Sequence, residues 1–92
     1  MKQEEIIEEL HNVARQLGVN IRYERGDFEG GYYILKEQKI LLVNRRLMPV
    51  RKASVLAIAL QEIGLETVFL KPALRVYIED EVAKVRRGNR QA

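Results

Sequence analysis

The chain has 92 residues, of which 47% are hydrophobic and 32% are charged. This mixture excludes a disordered chain, which cannot bury enough apolar surface, and a membrane segment, which tolerates few charges. The sequence has no cysteine, which excludes a disulfide framework and thiolate metal sites. Its longest apolar run, residues 55–60, is far too short to cross a bilayer, and we find no export signal, so we expect a cytoplasmic protein without membrane association.

The net charge of +3 comes from the C-terminal end of the chain. Residues 1–83 contain all 13 acidic residues but only 12 of the 16 basic ones, so this part of the chain is close to neutral. The other four basic residues are Lys84, Arg86, Arg87 and Arg90. We expect one α+β domain over residues 1–87, followed by a disordered basic tail over residues 88–92.

The N-terminal segment has the pattern of an amphipathic helix over residues 3–17. Its apolar residues are spaced four, three and four positions apart, at Ile6, Leu10, Val13 and Leu17. Gly18 follows, and glycine readily adopts the left-handed conformation that ends a helix. The sequence therefore predicts a first helix that buries one face.

Three short runs then have the composition of β-strands, at residues 19–24, 32–36 and 39–43. The first alternates apolar and polar residues, as a half-buried strand does. A glycine-rich loop over residues 25–31 separates it from the second. The two-residue connection Glu37-Gln38 between the last two runs predicts a tight hairpin. We therefore expect a three-stranded antiparallel sheet.

Two further helices are predicted after the strands. Pro49 marks the start of the first, which is so apolar over residues 53–63 that we expect it to be almost wholly buried. Gly64 ends this helix, and Pro72 opens the last one. The resulting order is αβββαα, which predicts an α+β fold with a small sheet covered on one face by helices.

The residues that enzymes use most for covalent and metal chemistry are almost absent. The chain has one histidine (His11), one serine (Ser54) and one threonine (Thr67). Zinc sites usually need two or three imidazoles when cysteine is absent, and a nucleophilic serine needs a base that the sequence does not identify. We therefore predict no catalytic residues, no metal and no cofactor.

Glu62 is an acidic residue on a helix with mostly apolar neighbours. It lies on the helix that we expect to be buried, where an unpaired carboxylate is costly. One interpretation is a buried ion pair with Arg45 or Arg75. The other is an acid or base in a cleft, which would make the protein a small enzyme.

A cluster of four basic residues surrounds the start of the central helix: Arg45, Arg46, Arg51 and Lys52. Cations are disfavoured there by the helix dipole, so an acidic partner is expected. A bound anion or a nucleic-acid backbone would account for the cluster, and the basic tail could add contacts. Ordinary surface ion pairs with Glu37 or with the acidic helices would account for it as well.

Several segments resemble the core of the small zinc peptidases of the ImmA/IrrE type. The residues concerned are Gly30-Gly31-Tyr32-Tyr33-Ile34, Ile40-Leu41-Leu42-Val43-Asn44 and the helix over residues 55–63. In that family two strands precede a helix with a His-Glu-x-x-His motif, and the best register places Ile58, Ala59 and Glu62 at its three chemical positions. The resemblance therefore implies a scaffold that has lost the zinc and the activity.

The chain also resembles a family of short bacterial proteins that share three features. These are Gly-Gly, the run Asn44-Arg45-Arg46-Leu47 and a proline-led final helix like the one at Pro72. This resemblance implies no particular activity.

Taken together, the sequence predicts a non-enzymatic protein-interaction or regulatory domain. A chain of this size buries only about 60 to 65% of the surface that its unfolded form exposes, so a protein partner or self-association as a homodimer would add stability. The alternative is binding of nucleic acid or another polyanion through the basic cluster and the tail.

Overall fold

The structure is a computed structural model that describes residues 1–91, with the side chains of residues 1–88. Six elements follow one another in the predicted order αβββαα: α1 (Gln3–Gln16), β1 (Val19–Glu24), β2 (Gly30–Leu35), β3 (Gln38–Asn44), α2 (Pro49–Ile63) and α3 (Pro72–Gln91). The prediction of an α+β fold is confirmed. The predicted tail over residues 88–92 overlaps the end of α3, and Ala92 lies outside the described residues, so the tail stays a prediction.

The strands form a mixed sheet in the order β1-β3-β2, with β1 parallel and β2 antiparallel to β3. The prediction of a fully antiparallel sheet is therefore wrong for β1. The physical reason lies in β3, whose four consecutive apolar residues, 40–43, favour the central position, where both strand edges are paired. The loop over residues 25–29 carries the chain from β1 past β3 to the opposite edge.

The hairpin between β2 and β3 turns at Lys36 and Glu37, one residue earlier than predicted. Both residues have positive φ, 50° and 70°. Two-residue hairpins favour turns with positive φ at both positions because their twist matches that of the strands. This conformation is costly for residues with a Cβ, yet the register between Leu35 and Gln38 requires it.

The helices cover one face of the sheet and form the core with it. The largest fully buried side chains are Leu10, Val43, Leu41, Leu56, Leu60, Leu74 and Ile78, which come from all three helices and from β3. On the other face of the sheet, Arg22, Tyr33 and Leu35 are exposed. Gly18 ends α1 with a φ of 70°, as predicted. None of the helices in the described part of the chain is long and apolar enough to cross a membrane.

Candidate protein interface at the edge of the sheet

In the described part of the chain, one side of the β2 backbone pairs with β3 and no strand pairs with its other side. The N–H of Asn44 donates to the carbonyl of Glu29 at 2.8 Å, so the backbone carbonyl of Glu29 is directed toward β3. Hydrogen-bonded and non-bonded residues alternate along an antiparallel pair. The odd-numbered residues of β2 therefore bond to β3, whereas Gly30, Tyr32 and Ile34 direct their N–H and carbonyl groups away from the sheet.

The side chains of β2 are uncharged and unusually exposed for a strand of this composition. The strand reads Gly-Gly-Tyr-Tyr-Ile-Leu, without charge or proline. Ile34 is 63% exposed and Leu35 51% exposed, although both are large apolar residues. An uncharged edge with unpaired backbone groups is a template for pairing with another chain, and most proteins protect such an edge.

A groove lies beside β2 on the side of the sheet that the helices cover. It has a volume of about 280 Å³ and is lined by Gly30, Tyr32, Val55, Ile58, Glu62 and Val85, among others. Gly30 permits the close approach of α2 to the strand, because a Cβ there would lie 2.6 Å from Cγ1 of Val55 and 2.7 Å from the carbonyl of Leu42. The glycine therefore serves packing, not a positive φ.

On the open face, apolar residues gather toward the β2 side. Tyr33 and Leu35 of β2 stand beside Ile40 and Leu42 of β3, since the register pairs Tyr33 with Ile40. Ile40, which lies on this face beside Tyr33, is only 2% exposed. The adjacent tyrosines face opposite sides of the sheet, since Tyr32 shares its face with Leu41 of the core and Tyr33 lies beside Ile40.

The structure divides the predicted basic cluster into engaged and free residues. Arg51 donates two hydrogen bonds to the carboxylate of Glu29, at 2.5 and 2.6 Å, and these bonds hold the pKa of Glu29 below its usual value. Lys52 lies over the ring of Tyr23, with its Nζ 5.5 Å from the ring centroid. Two of the four cations thus have partners within the chain.

Arg45 and Arg46 are exposed in the turn between β3 and α2. Among residues 1–88, neither forms an ion pair. The turn itself is held by Asn44, whose side-chain NH₂ donates to the carbonyls of Gly26 and Phe28 and whose Oδ1 accepts the N–H of Arg46. The conformation of this turn is therefore explained without a bound anion, and anion binding by the cluster stays a prediction.

Glu62 is exposed at the rim of the groove instead of buried. In the part of the chain whose side chains are described, no cation forms an ion pair with it, so the structure does not contain the predicted pair with Arg45 or Arg75. The reason is that α2 buries only the sides that face the sheet, α1 and α3. Glu62 and Gln61 lie on its remaining, solvent-facing side.

Two polar groups inside the fold are accounted for by their neighbours. His11 Nε2 and the hydroxyl of Tyr23 share a hydrogen bond of 2.7 Å. The pKa of His11 is lowered mainly by burial and, to a smaller extent, by the positive charge of Arg15 nearby. Ser54 is buried, and its side chain lies beside Glu81. Burial opposes ionisation of that carboxyl, but hydrogen bonds from Lys84 and Ser54 outweigh it and lower the pKa of Glu81. These contacts tie α1 to β1 and α2 to α3.

No three acidic or histidine side chains within residues 1–88 are grouped so that they could hold a metal ion. Comparison with known proteins gives no further direction: no known protein family, curated protein or solved structure matches this chain. Sequence reasoning missed the edge of β2 as a site because it placed the strands in chain order. The signal was the uncharged composition of residues 30–35, which is unusual for an edge.

Proposed function

We propose that the protein is a non-enzymatic interaction domain that binds an extended protein segment along the free edge of β2. The observation that carries this proposal is the combination of three outward-directed backbone residues with an uncharged, exposed strand. Main-chain hydrogen bonds to an added strand provide affinity, and pockets for alternate side chains provide specificity. The groove beside Gly30 offers such a pocket.

The chemistry of the groove supports binding rather than catalysis. Ile58, Ala59 and Glu62 line it together, and these are the positions that the resemblance to ImmA/IrrE-type peptidases assigns to the zinc motif. Isoleucine and alanine cannot ligate a metal or activate water, but they do form an apolar wall. We infer that the groove accepts an aliphatic or aromatic side chain of the bound segment.

A random peptide library displayed on phage tests the proposal. Peptides selected on the wild-type protein are expected to alternate apolar residues and to lose binding to the Ile34→Lys variant, whose ammonium would be buried by the added strand. Val76→Lys is the matched control, because Val76 is a similarly exposed β-branched residue on α3, at 56% against 63% for Ile34. Peptides that bind the Ile34→Lys and wild-type proteins equally would refute the proposal, as would failure to select any peptide on wild-type protein that is monomeric under the selection conditions.

A further inference from the structure

We infer that the segment bound by β2 is the β2 strand of a second copy of this chain. The two strands would pair antiparallel about a two-fold axis at Tyr32 and join the sheets in the order β1-β3-β2-β2-β3-β1. This inference rests on the proposed function, because it uses the same edge, and it names the partner.

The direction of the backbone groups selects one register. When a two-fold axis relates two antiparallel strands, residues that lie opposite each other have their side chains on the same face of the joined sheet. The backbone N–H and carbonyl groups that point away from β3 in each copy must also face each other to form hydrogen bonds. With Tyr32 opposite the partner's Tyr32, each Gly30 lies opposite the partner's Ile34. All three outward-directed residues of both copies are then hydrogen-bonded. A shift of the axis to Gly30 or to Ile34 leaves part of these residues unpaired.

The same register matches small residues with large ones. The strand has its two glycines at one end and its large apolar residues at the other. Antiparallel pairing therefore sets Gly30 opposite the partner's Ile34 on the helix side, and Gly31 opposite the partner's Tyr33 on the open face. The side-chain position of Gly31 is empty space in the single chain, with no atom within 4 Å of a Cβ placed there. A neighbouring aromatic ring commonly covers such a glycine on a strand.

The groove of each copy would receive a side chain that the other copy leaves exposed. Ile34 is directed toward the helix side of the sheet, yet no helix reaches it, and it is 63% exposed. Next to the partner's Gly30, it would lie against the partner's Val55 and Ile58, which line the groove. Pairing would thus bury an isoleucine against the apolar wall of the groove on both sides of the axis, while Glu29, Arg51 and Glu62 also line the groove.

Charge and symmetry limit the assembly to two chains. No charged residue lies in Gly30–Leu35, so the paired strands meet without repulsion. The pairing uses the β2 edge of both copies and leaves β1 at each outer edge. Because β1 carries Arg22 and Glu24, these outer edges disfavour further addition.

Light scattering over a micromolar to millimolar concentration series tests this inference. The wild type is expected to approach twice the mass of one chain, 10.7 kDa. Ile34→Lys should raise the dissociation constant at least about tenfold, a change of roughly 1.4 kcal/mol. Val76→Lys should dimerise like the wild type. Circular dichroism of each variant checks that the fold is kept.

Each outcome separates the two claims. A wild type that stays monomeric while peptides still bind its β2 edge would overturn the inference and leave the proposed function intact. A monomer whose selected peptides bind the Ile34→Lys variant equally would refute both. A dimer that Ile34→Lys leaves unchanged would place the contact elsewhere and overturn the inference.

Discussion

The two edges of the sheet differ in every property that governs strand pairing. β1 carries Arg22 and Glu24, and α1 packs along it through the contact between His11 and Tyr23. β2 carries no charge, and its exposed residues include Ile34 and Leu35. One edge is thus protected against addition by charge and cover, as edge strands usually are, and the other is open. By charge and exposure, β1 therefore disfavours pairing with a further strand, whereas β2 permits it.

Proline substitutions in β2 should change the free energy of unfolding more than the other substitutions do. They also distinguish the backbone side that pairs with β3 from the side that points away from it. Proline at Tyr33 removes an N–H that bonds to β3 and leaves a carbonyl of that strand without its donor, so we expect Tyr33→Pro to lose up to about 3 kcal/mol of unfolding free energy. Proline at Tyr32 removes an N–H that points away from the sheet, so Tyr32→Pro should cost clearly less. Urea denaturation of both variants measures the difference. Equal losses would show that our assignment of the free side is wrong.

The two adjacent glycines of β2 should respond oppositely to alanine. In Gly30→Ala the new Cβ would meet Val55 and the carbonyl of Leu42, so we expect a loss of about 1 to 3 kcal/mol from overpacking. In Gly31→Ala the Cβ meets open space, and lower chain entropy in the unfolded state should stabilise the fold by about 0.5 kcal/mol. Thermal denaturation under monomeric conditions checks the pair, and a tolerated Gly30→Ala would contradict the close approach of α2 to β2.

The turn that holds β2 against β3 can be improved. Glu37 has a φ of 70°, which costs a residue with a Cβ about 1 to 2 kcal/mol. We therefore expect Glu37→Gly to stabilise the protein by about 1 kcal/mol, offset in part by the entropy of glycine in the unfolded chain. Glu24→Gly, at the last residue of β1 on the sheet's other edge, should instead destabilise. Chemical denaturation of both variants is the measurement, and a destabilised Glu37→Gly would contradict the assigned turn.

The protected edge should be weakly sensitive to acid through His11. Its pKa is lowered in the folded state, so the folded chain binds protons less readily than the unfolded chain does. The contribution of neutral His11 to the free energy of unfolding is therefore complete above the pKa of about 6.5 that histidine has in the unfolded chain. This contribution is lost as the pH falls through the lower pKa of the folded state. The difference in urea midpoint between wild type and His11→Gln should shrink between neutral pH and pH 5. A constant difference would contradict the burial of His11.

The fold could be predicted from local patterns, but the site depended on a non-local arrangement. The helices could be predicted from the spacing of apolar residues, because residues three and four positions apart in the sequence lie on the same face of a helix. The order of the strands could not be predicted from such local spacing, since the pairing of β1 with β3 depends on which strand takes the central position in the sheet. The exposure of Glu62 followed from the packing of α2 against only part of its circumference. The pairing of Arg51 with Glu29 likewise required the position of the loop before β2.

Residue-resolved amide exchange at low and high protein concentration distinguishes a paired β2 edge from an unpaired one. We predict that the amides of Tyr33 and Leu35, which bond to β3, are protected at every concentration. It predicts that the amides of Gly30, Tyr32 and Ile34 exchange rapidly in the dilute protein and become protected as the concentration rises. Rapid exchange of these three amides at every concentration, in a protein that nevertheless dimerises, would contradict the claim that β2 is the interface.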